Sequence, residues 1–144
     1  MSSSTVRVSD VASLDGILAA MYEVLSGPAG RQRDWERFRR LYAPGARLMP
    51  VVSPRGEPSR VRVLSPEEYI RRVEPIFAKE DFWEREISRQ VETFGHVAHV
   101  LSSYESLRNP DGPPFERGAN SVQLLNDGAR WWIVSVMWNT PRGE

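Results

Sequence analysis

The final stretch of the chain, residues 118–140, most constrains what this sequence can fold into. It reads GANSVQLLNDGARWWIVSVMWNT, in which two runs of strand-forming residues flank Asp127 and Gly128. An Asp-Gly pair supplies the positive φ angles that a tight two-residue hairpin needs. The alternating Trp, Ile, Val and Met residues after the turn are typical of a strand that is half or fully buried. The pattern predicts a hairpin that closes a curved antiparallel sheet, with the rest of the chain covering the concave face.

Length and composition limit the function classes. A chain of 144 residues has the usual size of one domain with its own core. Its 19 basic and 19 acidic residues give a net charge of 0, which favours neither nucleic acid nor a membrane surface as a partner. The absence of cysteine excludes disulfides, thiolate metal sites and a cysteine nucleophile. Without a secretory signal or a membrane-spanning apolar run, we expect a cytoplasmic protein, and nothing indicates a cofactor.

The beginning of the chain is predicted to be a disordered segment followed by a helix. Residues 1–8 are rich in serine and bury nothing, which leaves one domain over residues 9–140. A cap at Ser9 or Asp10 predicts the start of a helix with one apolar stripe. Gly27, followed by proline, is expected to end this helix.

Two further helices are indicated by their caps. Asp34 begins a shorter helix that is expected to run to Tyr42. Ser65 is followed by proline and, three residues later, by Glu68, which is the pattern of a capping box. The helix that this box opens contains Pro75, which should kink or shorten it because proline lacks the backbone donor.

Elsewhere the apolar pattern has the period of a strand. Residues 46–52 and 60–64 predict a first strand and a short return strand. Residues 82–93 and 97–107 predict two long strands that precede the closing hairpin. The order of elements indicates an α+β domain with helices first and an antiparallel sheet after them.

The hairpin between the two long strands allows their faces to be sorted. If Gly95 and His96 form a two-residue turn, Arg89 pairs with Ser102 and Ile87 pairs with Tyr104. Residues directly opposite each other share a face. The face with these residues is mostly apolar and is predicted to be the covered, concave one; it consists of Ile87, Arg89, Val91, Thr93, Ala98, Val100, Ser102 and Tyr104. The other face carries charged residues such as Glu84 and Glu86, together with His99.

The same count applied to the last hairpin pairs Asn120 with Ser135 on one face. Trp132 and Trp138 then lie together on the opposite face. Both faces are apolar near the middle of the hairpin, which indicates that both are covered. Helices would cover one face, and we expect a second subunit on the Trp132/Trp138 face, giving a homodimer.

Two segments in this hairpin resemble a known group of proteins. The chain resembles the nuclear-transport-factor-2-like superfamily, and most of all its SnoaL-like (polyketide-cyclase-like) small bacterial proteins. The resemblance lies in residues 118–124 and 131–135, in the SPEEYI helix and in the order of elements, with the helices first. The resemblance implies a cone-shaped barrel made of a strongly curved mixed or antiparallel sheet, with the N-terminal helices on its concave face and a pocket between them. Such proteins commonly dimerise through the sheet. They include isomerases, cyclases, dehydratases, hydrolases and binding domains, so the fold does not fix the function.

Polar residues that the register places among apolar neighbours are the candidate ligand-binding residues. Arg89 is the most informative, since a guanidinium on a covered face either anchors a ligand oxygen or forms an internal salt bridge, for example to Glu74. The other candidates are Asn120, Ser102, Ser135, Tyr22, Tyr42 and Tyr104. For the amide and hydroxyl groups the alternative is hydrogen bonding within the sheet, and for the tyrosines it is a place in the core.

Histidines and carboxylates offer little to a catalytic interpretation. His99 falls on the polar face and His96 in a turn, so no metal site is predicted. The predicted concave strands carry no carboxylate, so a general base would have to come from a helix or loop, such as Glu23 or Asp81.

Two functional hypotheses therefore stay open. The first is a lyase or isomerase acting on an apolar, oxygenated small molecule, with Arg89 and Asn120 stabilising negative charge. The second is a non-catalytic ligand-binding or dimeric association module. A carboxylate or imidazole in the inner wall of the pocket would favour catalysis, whereas only amides, hydroxyls and aromatic rings would favour binding.

Overall fold

The computed structural model describes residues 8–141, in which helices and strands occur in the order that the sequence predicts. The elements are α1 (Val8–Val11), α2 (Leu14–Glu23), α3 (Trp35–Leu41), β1 (Tyr42–Val52), β2 (Arg60–Val61), α4 (Pro66–Lys79), β3 (Trp83–Phe94), β4 (Val97–Leu107), β5 (Pro114–Asn126) and β6 (Trp131–Asn139). The predicted α+β class is confirmed. Residues 1–7, most of the segment predicted to be disordered, lie outside the described residues, and residue 8 begins α1.

The strands form one mixed sheet in the order β2-β1-β6-β5-β4-β3. Neighbouring strands are antiparallel except β1 and β6, which are parallel, with Leu48 opposite Val136. The mixed sheet that the resemblance implied is confirmed, but the expected barrel is not closed, since β2 and β3 are its two edges. No helix within residues 8–141 is long and apolar enough to cross a membrane.

The first helical region is divided into α1 and α2, which differs from the single helix expected. Ser13 caps α2, with its hydroxyl accepting from the Gly16 N–H at 2.9 Å. Asp10, one of the predicted caps, instead lies within α1, where both carboxylate oxygens accept from the Arg37 guanidinium at 2.9 Å. The helix also ends at Glu23, ahead of the predicted stop.

The later caps are confirmed. The Asp34 side chain accepts from the Arg37 N–H, and Ser65 and Glu68 form both hydrogen bonds of the capping box, at 3.1 and 2.8 Å. After α3 the chain enters β1 at once, so Tyr42 is the first residue of a strand rather than the end of a helix. Pro75 does not shorten α4, which continues to Lys79.

The core lies between the concave face of the sheet and the helices. Val100, Val122 and Ile133 on three adjacent strands are fully buried. Ile17 and Leu18 of α2, together with Phe38 and Leu41 of α3, cover this face and are equally inaccessible. The predicted concave face of β4 is therefore confirmed.

The hairpin of β3 and β4 contains a bulge that the sequence count missed. Its turn and the pairing of Arg89 with Ser102 are as predicted. The register then shifts between Glu86 and Ser88, so that Glu86 rather than Ile87 faces Tyr104. One extra residue in a strand reverses the alternation of every residue beyond it. The predicted Ile87–Tyr104 pair is therefore wrong, and Glu84 and Glu86 lie on the concave face.

The closing hairpin also departs from the predicted register. Its loop spans residues 127–130, because Asn126 pairs with Trp131, and a further register shift follows Gln123. Asn120 consequently faces Trp138, and Gln123 faces Ser135. The predicted two-residue turn and the Asn120–Ser135 pair are both wrong. Trp138 belongs to the concave face and Ser135 to the convex face, the reverse of the prediction.

The bulge gives a prediction for stability. Ile87 is 51% exposed and Val100 is 0% exposed, although the sequence count places both on the covered face. We expect Ile87→Thr to change the free energy of unfolding by less than about 0.5 kcal/mol. Val100→Thr should lower it by about 1–3 kcal/mol, because it buries an unpaired hydroxyl. Urea denaturation of the two matched variants measures this, and equal losses would contradict the bulge.

Candidate functional site

A cavity of about 670 Å³ opens between α4 and the ends of β1, β5 and β6. It leads to a narrower inner pocket of about 50 Å³ beneath α2 and α3. Tyr69, Glu84, Tyr104 and Trp138 line both spaces, so the two are parts of one cavity. The inner pocket adds Asn120 and Tyr42 to these polar groups, and the rest of its wall is apolar. An apolar cavity with a few convergent polar groups is the usual form of a small-molecule site.

Glu84 supplies a carboxyl group that lines both spaces. It faces Ser106 across the β3–β4 ladder, and the Ser106 hydroxyl donates to it at 3.4 Å. Its backbone N–H donates to the Ser26 hydroxyl at 3.1 Å, which ties the start of β3 to the segment after α2. Within residues 8–141 no arginine or lysine forms a salt bridge with Glu84. The side chain is partly exposed, because the cavity that it lines is open to water.

This environment changes the acidity of Glu84. Burial disfavours the charged form and raises the pKa from 4.5 to about 8. The Ser106 hydrogen bond opposes this effect, and the negative charge of Glu116 adds to it. A carboxyl group with such a pKa is mostly protonated at pH 7 and can both donate and accept a proton near neutral pH.

Tyr42, Tyr69 and Tyr104 surround Glu84 with hydroxyl donors. Burial raises the pKa of each, and the charge of Glu84 raises it further, so all three stay protonated. In the part of the chain that the structure describes, their hydroxyls have no hydrogen-bond partner and are open to a ligand. The space for Tyr104 depends on Gly118, where a side chain would approach the tyrosine oxygen to 2.6 Å.

The rings that carry these groups are held by aromatic packing. Tyr69 stacks on Phe38 with ring centroids 5.6 Å apart and meets Trp138 edge-on at 5.8 Å. Tyr42 packs against the same Phe38 ring at 4.8 Å. Contacts of this kind fix ring orientation, so the hydroxyls are held in place before any ligand enters.

Asn120 is oriented by a chain of buried hydrogen bonds. Its amide donates to the Tyr22 hydroxyl at 2.9 Å, and Tyr22 lies 2.7 Å from the Ser102 hydroxyl. Ser102 donates to Glu86 at 2.6 Å, so its single proton is used and Tyr22 must donate to it. Arg89 completes the chain by holding Glu86 through two hydrogen bonds of 3.0 and 2.6 Å.

Neither a family model nor a curated protein matches this sequence. Solved structures do match the fold. A nuclear-transport-factor-2-like protein of unknown function from Pseudomonas putida KT2440 superposes with a TM-score of 0.65 at 12% identity, covering 89% of this chain and 84% of that one. This chain has the nuclear-transport-factor-2-like fold. The fold that the resemblance implied is therefore confirmed.

Other proteins with the nuclear-transport-factor-2-like fold differ in kind. A candidate ketosteroid isomerase from Parabacteroides distasonis ATCC 8503 has a TM-score of 0.59 at 12% identity and covers 94% of this chain and 98% of its own. The yeast UBP3-associated protein BRE5 has a TM-score of 0.61 at 14% identity, covering 88% and 92%. Identities this low establish the shared fold and leave the activity to be argued from the site.

Arg89 lies away from the large cavity. It donates to Asp15 of α2 at 2.6 Å as well as to Glu86, which is the internal ion pair considered as its alternative role. The partner is not Glu74, as the sequence suggested. Arg89 lines another cleft of about 640 Å³ beside α2, which Glu84 also borders and in which Arg31 and Glu23 lie.

The other predicted site residues fall into two groups. Asn120, Tyr42 and Tyr104 line the cavity, whereas Tyr22 and Ser102 are buried behind Asn120. Ser135 is on the convex face, where it donates to the Gln123 amide oxygen at 3.2 Å.

The residues considered as general bases are occupied elsewhere. Glu23 accepts from Arg37 at 3.1 Å, and Asp81 accepts from the Ala29 N–H at 2.7 Å. His99 pairs with Ser121 at 2.9 Å, away from the cavity. Across residues 8–141 no group of histidines and acids is placed to hold a metal ion.

Glu84 was missed because strict alternation places it on the convex face. The local sequence WEREISR carries no glycine or proline that would indicate a bulge. The only available signal was the excess of glutamates at the start of this strand, and that signal is equally typical of an exposed edge.

The raised pKa of Glu84 predicts a pH-dependent stability. The folded protein keeps this proton up to about pH 8, whereas the unfolded chain loses it near 4.5, so the contribution to stability falls as pH rises between these values. Glu84→Gln removes the titration. We expect the stability of the variant relative to the unsubstituted protein to increase from pH 5 to pH 8.5, as measured by urea denaturation. Parallel pH profiles for the two proteins would contradict the assignment.

Proposed function

We propose that this protein binds a small apolar, oxygenated molecule in the cavity and transfers a proton on it, as isomerases and lyases do. The observation that supports this best is Glu84, a carboxyl group without a salt-bridge partner in the described chain, with a pKa raised to about 8 in an aromatic cavity. Perturbed acids in a cavity of this kind are typical of catalytic sites. A carboxylate in the inner wall of the pocket was the feature expected to favour catalysis over binding alone, and Glu84 supports the catalytic function for this reason.

The chemistry follows from the groups around Glu84. Its ionised form removes a proton from a carbon next to a substrate carbonyl, and the C–H electron pair moves into the enolate. Negative charge then develops on the carbonyl oxygen, where the hydroxyl donors of Tyr69 and Tyr104 stabilise it. Glu84 returns the proton at another carbon in an isomerisation. In a lyase reaction the enolate instead expels a leaving group at the β-carbon.

Asn120 serves in this proposal as an additional donor to the oxyanion. Its side chain lines the inner pocket, and one amide N–H is already directed at Tyr22. Arg89 acts indirectly, because it fixes Glu86 by an ion pair. Glu86 accepts a hydrogen bond from Ser102, and Ser102 in turn orients Tyr22, which accepts from the Asn120 amide. A direct ligand contact by Arg89 would need its ion pairs with Asp15 and Glu86 to open.

Proton abstraction can be tested without knowing the substrate. We expect the protein to catalyse exchange of α-hydrogen for deuterium when a panel of cyclic ketones is incubated in D₂O and followed by mass spectrometry. The rate should rise with pH up to about 8 as Glu84 ionises. Glu84→Gln should lower the rate by about a hundredfold or more. Glu92→Gln, an exposed position on the same strand, is the matched control and should have no effect.

A non-catalytic binding module is the second candidate. The raised pKa of Glu84 favours this function as well, because a protonated Glu84 at pH 7 can donate a hydrogen bond to the carbonyl oxygen of a ligand. Ligands retained through purification and identified by mass spectrometry, without any deuterium exchange in the panel, would support this function and contradict proton transfer.

We further propose that the convex face of the sheet forms a homodimer interface. Leu101 and Met137, 39% and 41% exposed, flank Ser121 in one row across β4, β5 and β6. Val97 and Leu125 add a second exposed apolar pair on the same face. Exposed apolar residues that cluster on one face are typical of a protein interface. Trp138 has no part in this proposal, because it lines the cavity.

Charged substitution tests the dimer. Leu101→Asp combined with Met137→Asp should give a monomer in sedimentation velocity, because burying two unpaired carboxylates in an apolar interface is costly. The pair Arg71→Asp and Lys79→Asp, exposed on α4 on the opposite side of the sheet, serves as the control. A mass that is the same for all three proteins would rule out this interface.

A further inference from the structure

Two arginines with no side-chain partner among residues 8–141 lie at the mouth of the large cavity. Arg62 follows β2, and its backbone N–H donates to the Pro50 carbonyl at 3.0 Å, which places it beside the end of β1. Arg72 projects from α4, one residue before Val73, which also lines the cavity. Both side chains are exposed and both border the space that leads to Glu84.

The other charges at the mouth do not neutralise this pair. Arg108 is already engaged, with Glu80 at 2.9 Å, the Asp81 carbonyl at 3.0 Å and the Phe115 ring at 3.9 Å. Neither Arg62 nor Arg72 forms a salt bridge or a side-chain hydrogen bond within the described chain. Within residues 8–141, three arginines line this cavity against two glutamates besides the protonated Glu84, namely Glu80 and Glu116, so the described lining has an excess of positive charge at pH 7.

Apolar side chains line the same cavity beside these charged groups. Val51, Val73, Ile76, Phe77 and Phe82 line it. A ligand that fits both regions needs an apolar body for the wall and a negative group for the mouth. Arginine suits this task, since its planar fork of N–H donors matches the paired oxygens of a carboxylate or a related oxyanion.

We infer that the ligand of this cavity is a small apolar monoanion whose acidic group is bound by Arg62 and Arg72. This inference rests on the proposed function in using the same cavity, and it narrows the ligand class. The anionic group stays at the water-exposed mouth, which keeps its desolvation cost low. The apolar body then extends inward to Glu84, Tyr69 and Tyr104. Protonation of Glu84 at neutral pH removes a repulsion that would otherwise oppose an anionic ligand.

A matched pair of fluorescent probes tests the ligand class directly. 8-Anilinonaphthalene-1-sulfonate and N-phenyl-1-naphthylamine share one apolar body, and only the first carries an anion. We expect the sulfonate to bind the cavity more tightly than the neutral probe, with an affinity that falls as NaCl is added. Arg62→Gln and Arg72→Gln should each weaken the binding of the sulfonate by up to about five-fold, because both arginines are exposed and their charges are screened. Neither substitution should change the affinity for the neutral probe.

Two variants control for folding and for the place of binding. Arg71→Gln is the matched control, since Arg71 is the exposed neighbour of Arg72 on α4 but does not line the cavity. It should change the affinity of neither probe. Ile76→Trp adds bulk at an exposed position of the cavity wall and should weaken both probes.

The outcomes separate the inference from the proposed function. One outcome is that both probes bind equally, that Ile76→Trp weakens both, and that neither arginine substitution changes the affinity. This result would overturn the anion site and would indicate a cavity for a neutral ligand. Sulfonate binding that none of the cavity variants weakens would place the probe elsewhere and also overturn it. Failure of both probes to bind would contradict the cavity itself, and with it the proposed function.

Discussion

The candidate site depends on one extra residue in strand β3. The bulge at Ile87 reverses the alternation of the strand toward its start, so that Glu84 and Glu86 face the helices instead of solvent. The partner strand stays regular at this point, with Tyr104 and Ser106 on the concave face. A carboxyl group thus reaches the wall of the cavity while the pairing of the sheet continues on both sides of the bulge.

The two glutamates that the bulge turns inward have different environments. Glu86 is compensated by Arg89 and Ser102, so it contributes a fixed acceptor that orders the hydrogen bonds leading to Asn120. Within residues 8–141 the Glu84 side chain has only the 3.4 Å hydrogen bond from Ser106, and burial raises its pKa to about 8. A buried acid without compensation costs stability, and such groups are commonly kept where their proton is used. Two carboxyl groups that are two residues apart therefore differ in state, since Glu86 is held in an ion pair and Glu84 is mostly protonated at pH 7.

Local signals in the sequence predicted much of the fold, whereas long-range register did not follow from them. The capping box at Ser65 and the turn at Gly95 were predicted because each depends on a few adjacent residues. Bulges in β3 and β6 carry no local signature, and each reverses the side of the residues beyond it. This is why Ser135 and Trp138 exchange faces relative to the prediction, and why Glu84 was assigned to solvent. The candidate site was therefore predicted only in part, through Asn120, Tyr42 and Tyr104.

The most direct measurement is a ¹³C NMR titration of protein labelled at the glutamate side-chain carboxyl, with Glu84→Gln used to assign the signal. The account predicts one carboxyl resonance that titrates near pH 8 and is missing from the variant. If every glutamate carboxyl titrates below about pH 5, in the ordinary range of exposed glutamates, Glu84 does not lie in an apolar cavity and the account is contradicted.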